Sequence, residues 1–210
     1  MSEKRYPFSP LKYYKMDSSV KNPVFATEGS ACFDLHAWIP DGIEVARYTS
    51  WGDFSFAKVS SDESVIVGQQ DRLLIPTGLV FDTPEGWSVR LHPRSGLALK
   101  EGLSLANQEG VIDYDYVEPV FIMITNLGHR HRTIKNGDRI CQAEMIRDSK
   151  YSLVETLEKP SKKTSRDGGF GSTGESSLKT GTSDFWDDVS LDKFMRGIDS
   201  GYPHYRESET

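Results

Sequence analysis

Short apolar runs recur along the chain, and turn-forming residues separate them. Most of these runs hold four to eight residues, are rich in β-branched or aromatic side chains, and end at Pro, Gly or Asn-Gly. Such runs are typical of short strands, so the pattern predicts an all-β sandwich, barrel or jelly roll. Only LALKEGLSLA could form a short helix, and Gly102 disfavours one there. The predicted strand segments are VFATEG, ACFDLHAWIP, SVIVG, RLLIPTGLVFDTPEG, WSVRLHP, GVIDYDY, VEPVFIMITNLG and GDRICQAEMI.

Two turns stand out between these runs. The sequence KNGD at 135–138 predicts a tight hairpin turn, because Asn-Gly tolerates the positive φ that such turns need. Residues 40–64 carry aromatic residues on both sides of Gly52-Asp53, which predicts an extra β-hairpin with its turn at that pair. A decorated surface loop is the alternative for this segment.

Charge and composition exclude several classes of function. The net charge of -6, from 25 basic and 31 acidic residues, argues against a nucleic-acid-binding surface. The N-terminus MSEKRYPFSPL lacks the apolar core of a signal peptide, and no run approaches a membrane span, so a cytoplasmic protein is expected. Cys32 and Cys141 lack metal-ligand spacing and are expected to be reduced. The HRH sequence at 129–131 is interpreted as a solvated turn and not as a metal site.

Several polar residues interrupt the apolar runs. Asp34 lies in an apolar strand, where a carboxylate needs a cation or hydrogen bonds. Gln142 is placed similarly, and its amide needs a partner or a ligand. Arg94, Ser95 and Gly96 follow a strand and offer a guanidinium, a hydroxyl and an open backbone at one turn. These donors predict an anion-binding cradle.

One acidic residue is a candidate general base. Asp113 ends the short apolar run Val-Ile after Gly110. A carboxylate at a strand end near an anion cradle can take a proton from a water directed at phosphorus. A plain surface turn is the alternative for Asp113.

The sequence RDGGFGSTG at 166–174 combines four glycines with one aromatic and one arginine. It lacks the Gly-Lys-Ser/Thr that a phosphate-binding P-loop requires. Taken alone, it is best interpreted as a flexible linker.

Five of these segments together resemble a known family. In chain order, ACFDLHA, PRSGLALK, NQEGVIDYDY, GDRICQ and RDGGFGSTG are similar to the five motifs of the trimeric deoxyuridine triphosphate nucleotidohydrolases, the dUTPases. The resemblance covers about residues 24–174 and leaves the 40–64 segment unmatched. It implies hydrolysis of dUTP to dUMP and pyrophosphate, which limits uracil in DNA and supplies dUMP for thymidylate synthesis.

The resemblance also assigns roles to residues of the first four motifs. Asp113 would activate the water that attacks the α-phosphorus. Asn107 and backbone atoms of Val111 would read the uracil edge, and Tyr116 would pack beneath the deoxyribose. The triphosphate would be held by Arg94, Ser95, Gly96 and Gln142. Asp34 would act at one remove, by bracing an arginine or touching the hydration shell of the metal.

The fifth motif would then be a mobile lid instead of a linker. Phe170 would stack on the uracil, and Arg166 would reach the γ-phosphate. Glycines let the backbone N–H groups of Gly171 and Ser172 approach the phosphates closely. Mg²⁺ is expected on the substrate phosphates and their waters, with no protein ligands.

The implied architecture is a jelly-roll β-barrel that assembles as a homotrimer with shared active sites. The expected organisation is a barrel over residues 1–160 with the 40–64 hairpin inserted, a lid arm over 161–174, and an acidic, mobile extension over 175–210. That extension holds eight acidic and four basic residues. Neither nucleic acid nor a membrane is an expected partner, whereas an unidentified protein partner could use the 40–64 segment or the extension.

The chain departs from the family pattern at three places. Cys32 stands where a Gly is usual, Glu109 adds a charge where something small or apolar is usual, and Val117-Glu118-Pro119 replaces a Gly after Tyr116. Three alternatives therefore stay open. They are a dCTP deaminase-like enzyme, a regulatory protein switched by nucleotide, and a structural barrel whose motif matches are accidental.

Overall fold

The computed structural model describes residues 9–165. Their regular secondary structure is almost entirely β-strand. The all-β prediction is confirmed. The strands are β1 (Lys12–Lys15), β2 (Val24–Phe25), β3 (Phe33–His36), β4 (Glu44–Tyr48), β5 (Phe54–Lys58), β6 (Ser64–Val67), β7 (Arg72–Pro76), β8 (Leu79–Asp82), β9 (Trp87–His92), β10 (Leu103–Leu105), β11 (Gly110–Ile112), β12 (Phe121–Asn126), β13 (Arg132–Lys135) and β14 (Arg139–Arg147).

Two five-stranded antiparallel sheets make up most of the fold. One has the order β10-β12-β7-β4-β5, and the other has the order β11-β9-β14-β3-β2. Two short pairs, β1-β8 and β13-β6, complete the described part. Buried side chains from both large sheets form one core, which is the layered arrangement of a jelly roll. Within residues 9–165 the hydrogen-bonded ladders stay open and do not close into a continuous barrel.

Alternation along β9 and β14 separates the core from a polar face. Leu91 and Ala143 are buried in the core, whereas His92 and Gln142 are only partly buried. Successive strand residues point to opposite faces, so these partly buried residues share the outer face of the sheet. The candidate phosphate-binding residues therefore lie on an accessible surface.

The predicted short helix is reduced to a single π-helical turn. It spans Leu97–Glu101 and ends at Gly102, which has φ 69° in the left-handed region. The second half of the predicted segment is strand β10. Gly102 therefore ends the helical turn, as its poor helix propensity predicts.

Residues 44–58 form an antiparallel hairpin of β4 and β5. Its turn is closed by the Thr49 N–H donating to the Asp53 carbonyl at 3.0 Å, and Gly52 has φ 88°. The KNGD segment also makes a tight turn, in which Gly137 has φ 81°. Its flanking strands do not pair with each other, however, because β13 pairs with β6 and β14 pairs with β3 and β9. The expectation of a hairpin at KNGD was wrong, although the turn is present.

The chain divides into two units, Met1–Ser152 and Leu153–Thr210. In the first unit, Cys32 and Cys141 are free thiols. In the second, the described residues 153–165 have no strand or helix and are exposed. No helix in the described part of the chain has the length and apolar character that a membrane crossing requires.

Candidate active site

Asp34 of the first motif holds two arginines, one from the second motif and one from the fourth. Its Oδ1 lies 3.2 Å from Arg94 Nε, and its Oδ2 lies 3.0 Å from Arg139 Nη1. The Arg94 Nη1 also donates to the Arg139 carbonyl at 2.7 Å. Asp34 is buried, so the two guanidinium groups supply the positive charge that a carboxylate in this position needs. The three residues form a cationic cluster with one excess positive charge.

Space for an anion lies beside this cluster. A cavity of about 540 Å³ is lined by residues that include Arg94, Arg139 and Arg132. Its wall also holds Glu101, which pairs with Arg132 at 3.3 Å and offsets that charge. Asp138 also lines the cavity, so three arginines face two carboxylates there and leave one formal positive charge in the lining.

Gly96 is not required by the fold of the single chain. Its φ of -65° and ψ of -41° are ordinary for any residue, and an added Cβ would meet nothing within 4 Å. Ser95 beside it is exposed. A glycine in open space with an ordinary backbone fits a position that something outside the chain approaches closely, such as a phosphate.

The strand register places Asp34, Gln142 and His92 side by side in one row across the sheet. Asp34 pairs with Gln142 between β3 and β14, and Gln142 pairs with His92 between β14 and β9. All three point to the outer face of the sheet. Gln142 is half-buried, and its side-chain amide makes no hydrogen bond to another described residue. The amide that the sequence singled out is therefore available to a ligand.

The third motif, residues 107–116, forms a segment that turns from β10 into β11, and these two strands belong to different sheets. Gln108 adopts φ 61°, and the Glu109 N–H donates to the Asn107 carbonyl at 2.7 Å, which turns the chain tightly. Asn107 and Val111 are exposed beside a cavity of about 100 Å³. The small cavity and the exposed amide of Asn107 suit a planar base with both donors and acceptors.

Asp113 and Tyr116 follow β11 in one turn. The Tyr116 N–H donates to the Asp113 carbonyl at 3.1 Å, and the Tyr116 hydroxyl donates to the Pro119 carbonyl at 3.1 Å. The unusual Val117-Glu118-Pro119 sequence therefore anchors the tyrosine ring. The Asp113 side chain is exposed.

Asp113 does not lie near Arg94 within one chain. The pairing of β11 with β9 sets Ile112 opposite Val89, so Asp113 falls opposite Ser88. Arg94 is six residues farther along, which at the rise of an extended strand is about 20 Å. A single chain therefore separates the candidate base from the candidate phosphate cradle.

Glu109, one of the departures from the family pattern, has one arginine and one histidine as neighbours. Its carboxylate lies 3.7 Å from Arg90 Nη1 and 3.9 Å from His92 Nδ1. The imidazole of His92 also contacts Glu144 at 3.1 Å through Nε2. The extra acidic charge is thus partly compensated on the face of β9. The sequence alone did not identify this cluster, because its members are brought together only by the pairing of β11, β9 and β14.

Burial shifts the pKa values of two titratable groups near the site. Burial lowers the pKa of His36 below 6.5, with Lys21 acting in the same direction and Asp34 opposing it. Burial also raises the pKa of the Cys141 thiol to about 12. Cys141 therefore stays protonated and is a packing residue of β14.

The structure identifies Arg139 as a member of the site, whereas the sequence predicted only that Asp34 would brace an arginine. The remaining predicted residues, Arg166, Phe170, Gly171 and Ser172, lie outside the described residues. Their roles stay predictions. Among residues 9–165, no group of three or more His, Cys, Asp or Glu side chains could hold a metal ion.

Solved structures support the fold. The chain is similar to a point mutant of the Staphylococcus bacteriophage 80alpha dUTPase with dUpNHpp, with a TM-score of 0.61 and 19% identity over 80% of this chain and 100% of that one. It is also similar to a dUTPase from Streptococcus mutans, with a TM-score of 0.51 and 19% identity over 69% of this chain and 100% of that one.

Sequence comparisons reach further than the fold. The deoxyuridine 5'-triphosphate nucleotidohydrolase of Caulobacter vibrioides is 33% identical over 78% of this chain and 92% of its own length. The enzyme of the same name from Dinoroseobacter shibae is 36% identical over 75% of this chain and 90% of its own length. The dUTPase family model matches residues 56–174, more than half of the chain. With five motifs in order and a fold to match, this chain belongs to the dUTPase family.

Proposed function

We propose that this protein is a dUTP diphosphatase, which hydrolyses dUTP to dUMP and pyrophosphate. The observation that carries the proposal is the identity of 33% or more to enzymes of that name over nine-tenths of their length. The structure is consistent with this chemistry, since it offers a base-sized cavity, a cationic cluster and an exposed carboxylate. Family membership sets aside the alternative of a structural barrel with accidental matches.

The cationic cluster would bind the triphosphate. Arg94 and Arg139 are held by Asp34, so little side-chain entropy is lost when they meet phosphate oxygens. Ser95, the open backbone at Gly96 and the amide of Gln142 would add hydrogen-bond donors. Guanidinium and amide donors of this kind stabilise the charge that develops on phosphate during displacement.

Asp113 would act as the general base. Its carboxylate takes a proton from a water molecule as the water oxygen forms a bond to the α-phosphorus. The bond from the α-phosphorus to the bridging oxygen breaks, and pyrophosphate leaves with that electron pair. Asn107 and Val111 would hold the uracil, and Tyr116 would pack against the sugar. Arg166, Phe170, Gly171 and Ser172 would close over the nucleotide.

Mg²⁺ fits this site as a companion of the substrate. Both oxygens of Asp34 are already ion-paired with arginines, so phosphate and water oxygens would supply the ligands that this ion prefers. When bound there, the ion neutralises negative charge on the triphosphate.

Assembly into a trimer would complete each site. Because Asp113 and Arg94 are about 20 Å apart along β9, one chain cannot place both against the same triphosphate. A second copy would bring its Arg94 cluster to the third-motif segment of the first copy. A third copy would supply the lid arm over 161–174. The lid over 161–174, the extension over 175–210 and the cytoplasmic location stay predictions of the sequence.

Pyrophosphate release from each deoxynucleoside triphosphate tests the proposal. Wild-type protein should turn over dUTP in preference to dCTP and dTTP. Asp113→Asn should lower kcat by roughly 100- to 10,000-fold, the usual worth of a positioned general base. Asp115→Asn is the matched control, because Asp115 is exposed in the same turn, and it should retain most activity.

Three results would contradict the proposal. Pyrophosphate release from dCTP alone would overturn the assignment of the base, and ammonia release from dCTP would support the deaminase-like alternative. Equal activity in the Asp113 and Asp115 variants would remove Asp113 from the reaction. Absence of turnover of any nucleotide would favour a binding protein over an enzyme.

A further inference from the structure

The sheet β10-β12-β7-β4-β5 carries exposed apolar side chains on its outer face as well as buried ones on its inner face. Its inner face packs into the core through side chains such as Leu73 and Ile122, which are completely buried. A sheet with one face in the core usually presents polar residues to water on the other. Here the strand register sets an apolar row across the outer face of four strands, made of Met123, Leu74, Ala46 and Phe56.

The β4–β5 hairpin adds an ordered aromatic cluster to this outer face. Tyr48 and Phe54 have ring centroids 5.2 Å apart, and Phe54 and Phe56 are 5.1 Å apart in an edge-to-face arrangement. The Arg72 guanidinium lies over the Tyr48 ring at 5.6 Å. Even so, Phe54 and Phe56 are 54% and 57% exposed. Contiguous apolar surface of this kind marks an interaction site on a folded protein.

The area of this face matches a subunit contact. Tyr48, Phe54, Phe56, Phe121 and Met123 are each 40–57% exposed. At about 200 Å² for a large side chain, they leave on the order of 500 Å² of mostly apolar surface uncovered. A stable interface buries about 800 Å² on each partner, so this face could supply more than half of one.

One end of the face adjoins the candidate active site. Leu74, Phe121 and Met123 line the same cavity of about 100 Å³ as Asn107 and Val111. The shared site proposed above brings a second copy to the third-motif segment, since Asp113 has no phosphate cradle nearby in the described part of its own chain. One end of the apolar face therefore lies where the proposed function places a second copy.

We propose that the inserted β4–β5 hairpin extends the contact between copies of this chain beyond the shared site, with its exposed aromatic face packed against a second copy. The inference rests on the shared site of the proposed function. It assigns the 40–64 segment to assembly. Arg72 and the aromatic cluster would be buried together at the edge of that contact.

Sedimentation of the full-length protein over a wide concentration range tests this. The double variant Phe54→Ser, Phe56→Ser should need a roughly tenfold or greater concentration for half-assembly, because buried aromatic anchors dominate interface energies. Its dUTP turnover should fall on dilution and recover at high concentration. Ile66→Ser is the matched control: Ile66 is 58% exposed but lies on β6, outside this face, and its loss should change neither property.

Other outcomes separate this inference from the proposed function. Unchanged assembly of a folded double variant overturns the inference and leaves dUTP hydrolysis intact. A wild-type protein that assembles but hydrolyses no nucleotide overturns the function alone. If the double variant does not fold, a Phe56→Cys chain replaces it. Protection of that thiol from a maleimide in the assembled protein supports the inference, and rapid labelling overturns it.

Discussion

At the scale of single residues, Asp34 organises the cationic side of the site. It is buried, yet each of its oxygens forms an ion pair with a different arginine. Removing one partner from such a group leaves charges uncompensated, which costs far more than the loss of a surface pair. Asp34 is therefore expected to matter for both folding and phosphate binding.

Replacement of Asp34 by Asn should destabilise the protein by about 3 kcal/mol, near the low end for a buried ion pair, because Arg139 is half-exposed. Urea denaturation measures this loss. Asp82→Asn is the control, since Asp82 pairs with Lys12 at 3.7 Å on the open surface and such pairs contribute less than about 1 kcal/mol. Similar losses in the two variants would show that the Asp34 cluster contributes little.

His36 should make stability depend on pH. Its pKa in the folded protein lies below the unfolded value of 6.5, chiefly because of burial. The unfolded chain therefore takes up a proton first as pH falls, so the folded state loses stability as pH drops through 6.5 and until folded His36 itself protonates. His36→Gln should flatten the fall of the denaturation midpoint between about pH 7 and 5.5. Parallel pH curves for the two proteins would exclude this contribution.

At the scale of secondary-structure elements, the third-motif segment depends on the close approach of β11 to β9. Gly110 pairs with Leu91, and an added Cβ at Gly110 would lie 2.8 Å from the Leu91 Cδ1 and 3.0 Å from its Cβ. Leu91 is buried and has little room to move. The glycine of this motif therefore sets the position of β11 against β9.

Gly110→Ala should displace the third-motif segment, which carries Asn107 and Asp113. A shift of about 1 Å is enough to lower kcat/KM for dUTP by roughly 10- to 100-fold. Steady-state kinetics and a thermal midpoint measure the two consequences separately. Gly29→Ala should change neither, because nothing lies within 4 Å of a Cβ there. Wild-type kinetics in Gly110→Ala would mean that β11 accommodates the extra methyl group without moving.

The strands were predictable from local pattern, whereas their partners were not. Alternation and turn residues identify segments such as GDRICQAEMI, and β14 overlaps most of that one. Local pattern cannot show that β13 pairs with β6 across roughly 70 residues of chain. That is why the KNGD turn was predicted and the pairing of its strands was not.

The candidate site was predictable to a similar extent. A carboxylate in an apolar strand needs a cation, which points to Asp34 and to some arginine. Only the folded structure shows that both Arg94 and Arg139 form ion pairs with Asp34. The contact of Glu109 with His92 was also out of reach, because it arises where two strands from different parts of the chain meet.

At the scale of the whole molecule, β9 separates the two halves of the site. The third-motif segment with Asp113 lies beside one end of this strand, and the proposed cradle with Arg94 follows the other end. Copies that complement one another in this way, as proposed above, would need closed, symmetric assembly.

Mixing two inactive variants should restore activity. Asp113→Asn removes the proposed general base. Ser95→Asp places a negative charge at an exposed position of the proposed phosphate cradle. If one chain donates Asp113 and another donates Ser95, random equal assembly leaves roughly a quarter of the sites intact. Pyrophosphate release after co-refolding measures this. No recovery in properly assembled mixtures would mean that each chain holds a complete site.

The length of β9 also bears on gene dosage. A chain defective at both ends of this strand would spoil the site to which it lends its carboxylate and the site to which it lends its arginine. In a cell that makes such a chain and a normal one equally, about one catalytic centre in four would work instead of one in two. Alleles of this kind should therefore act as dominant negatives.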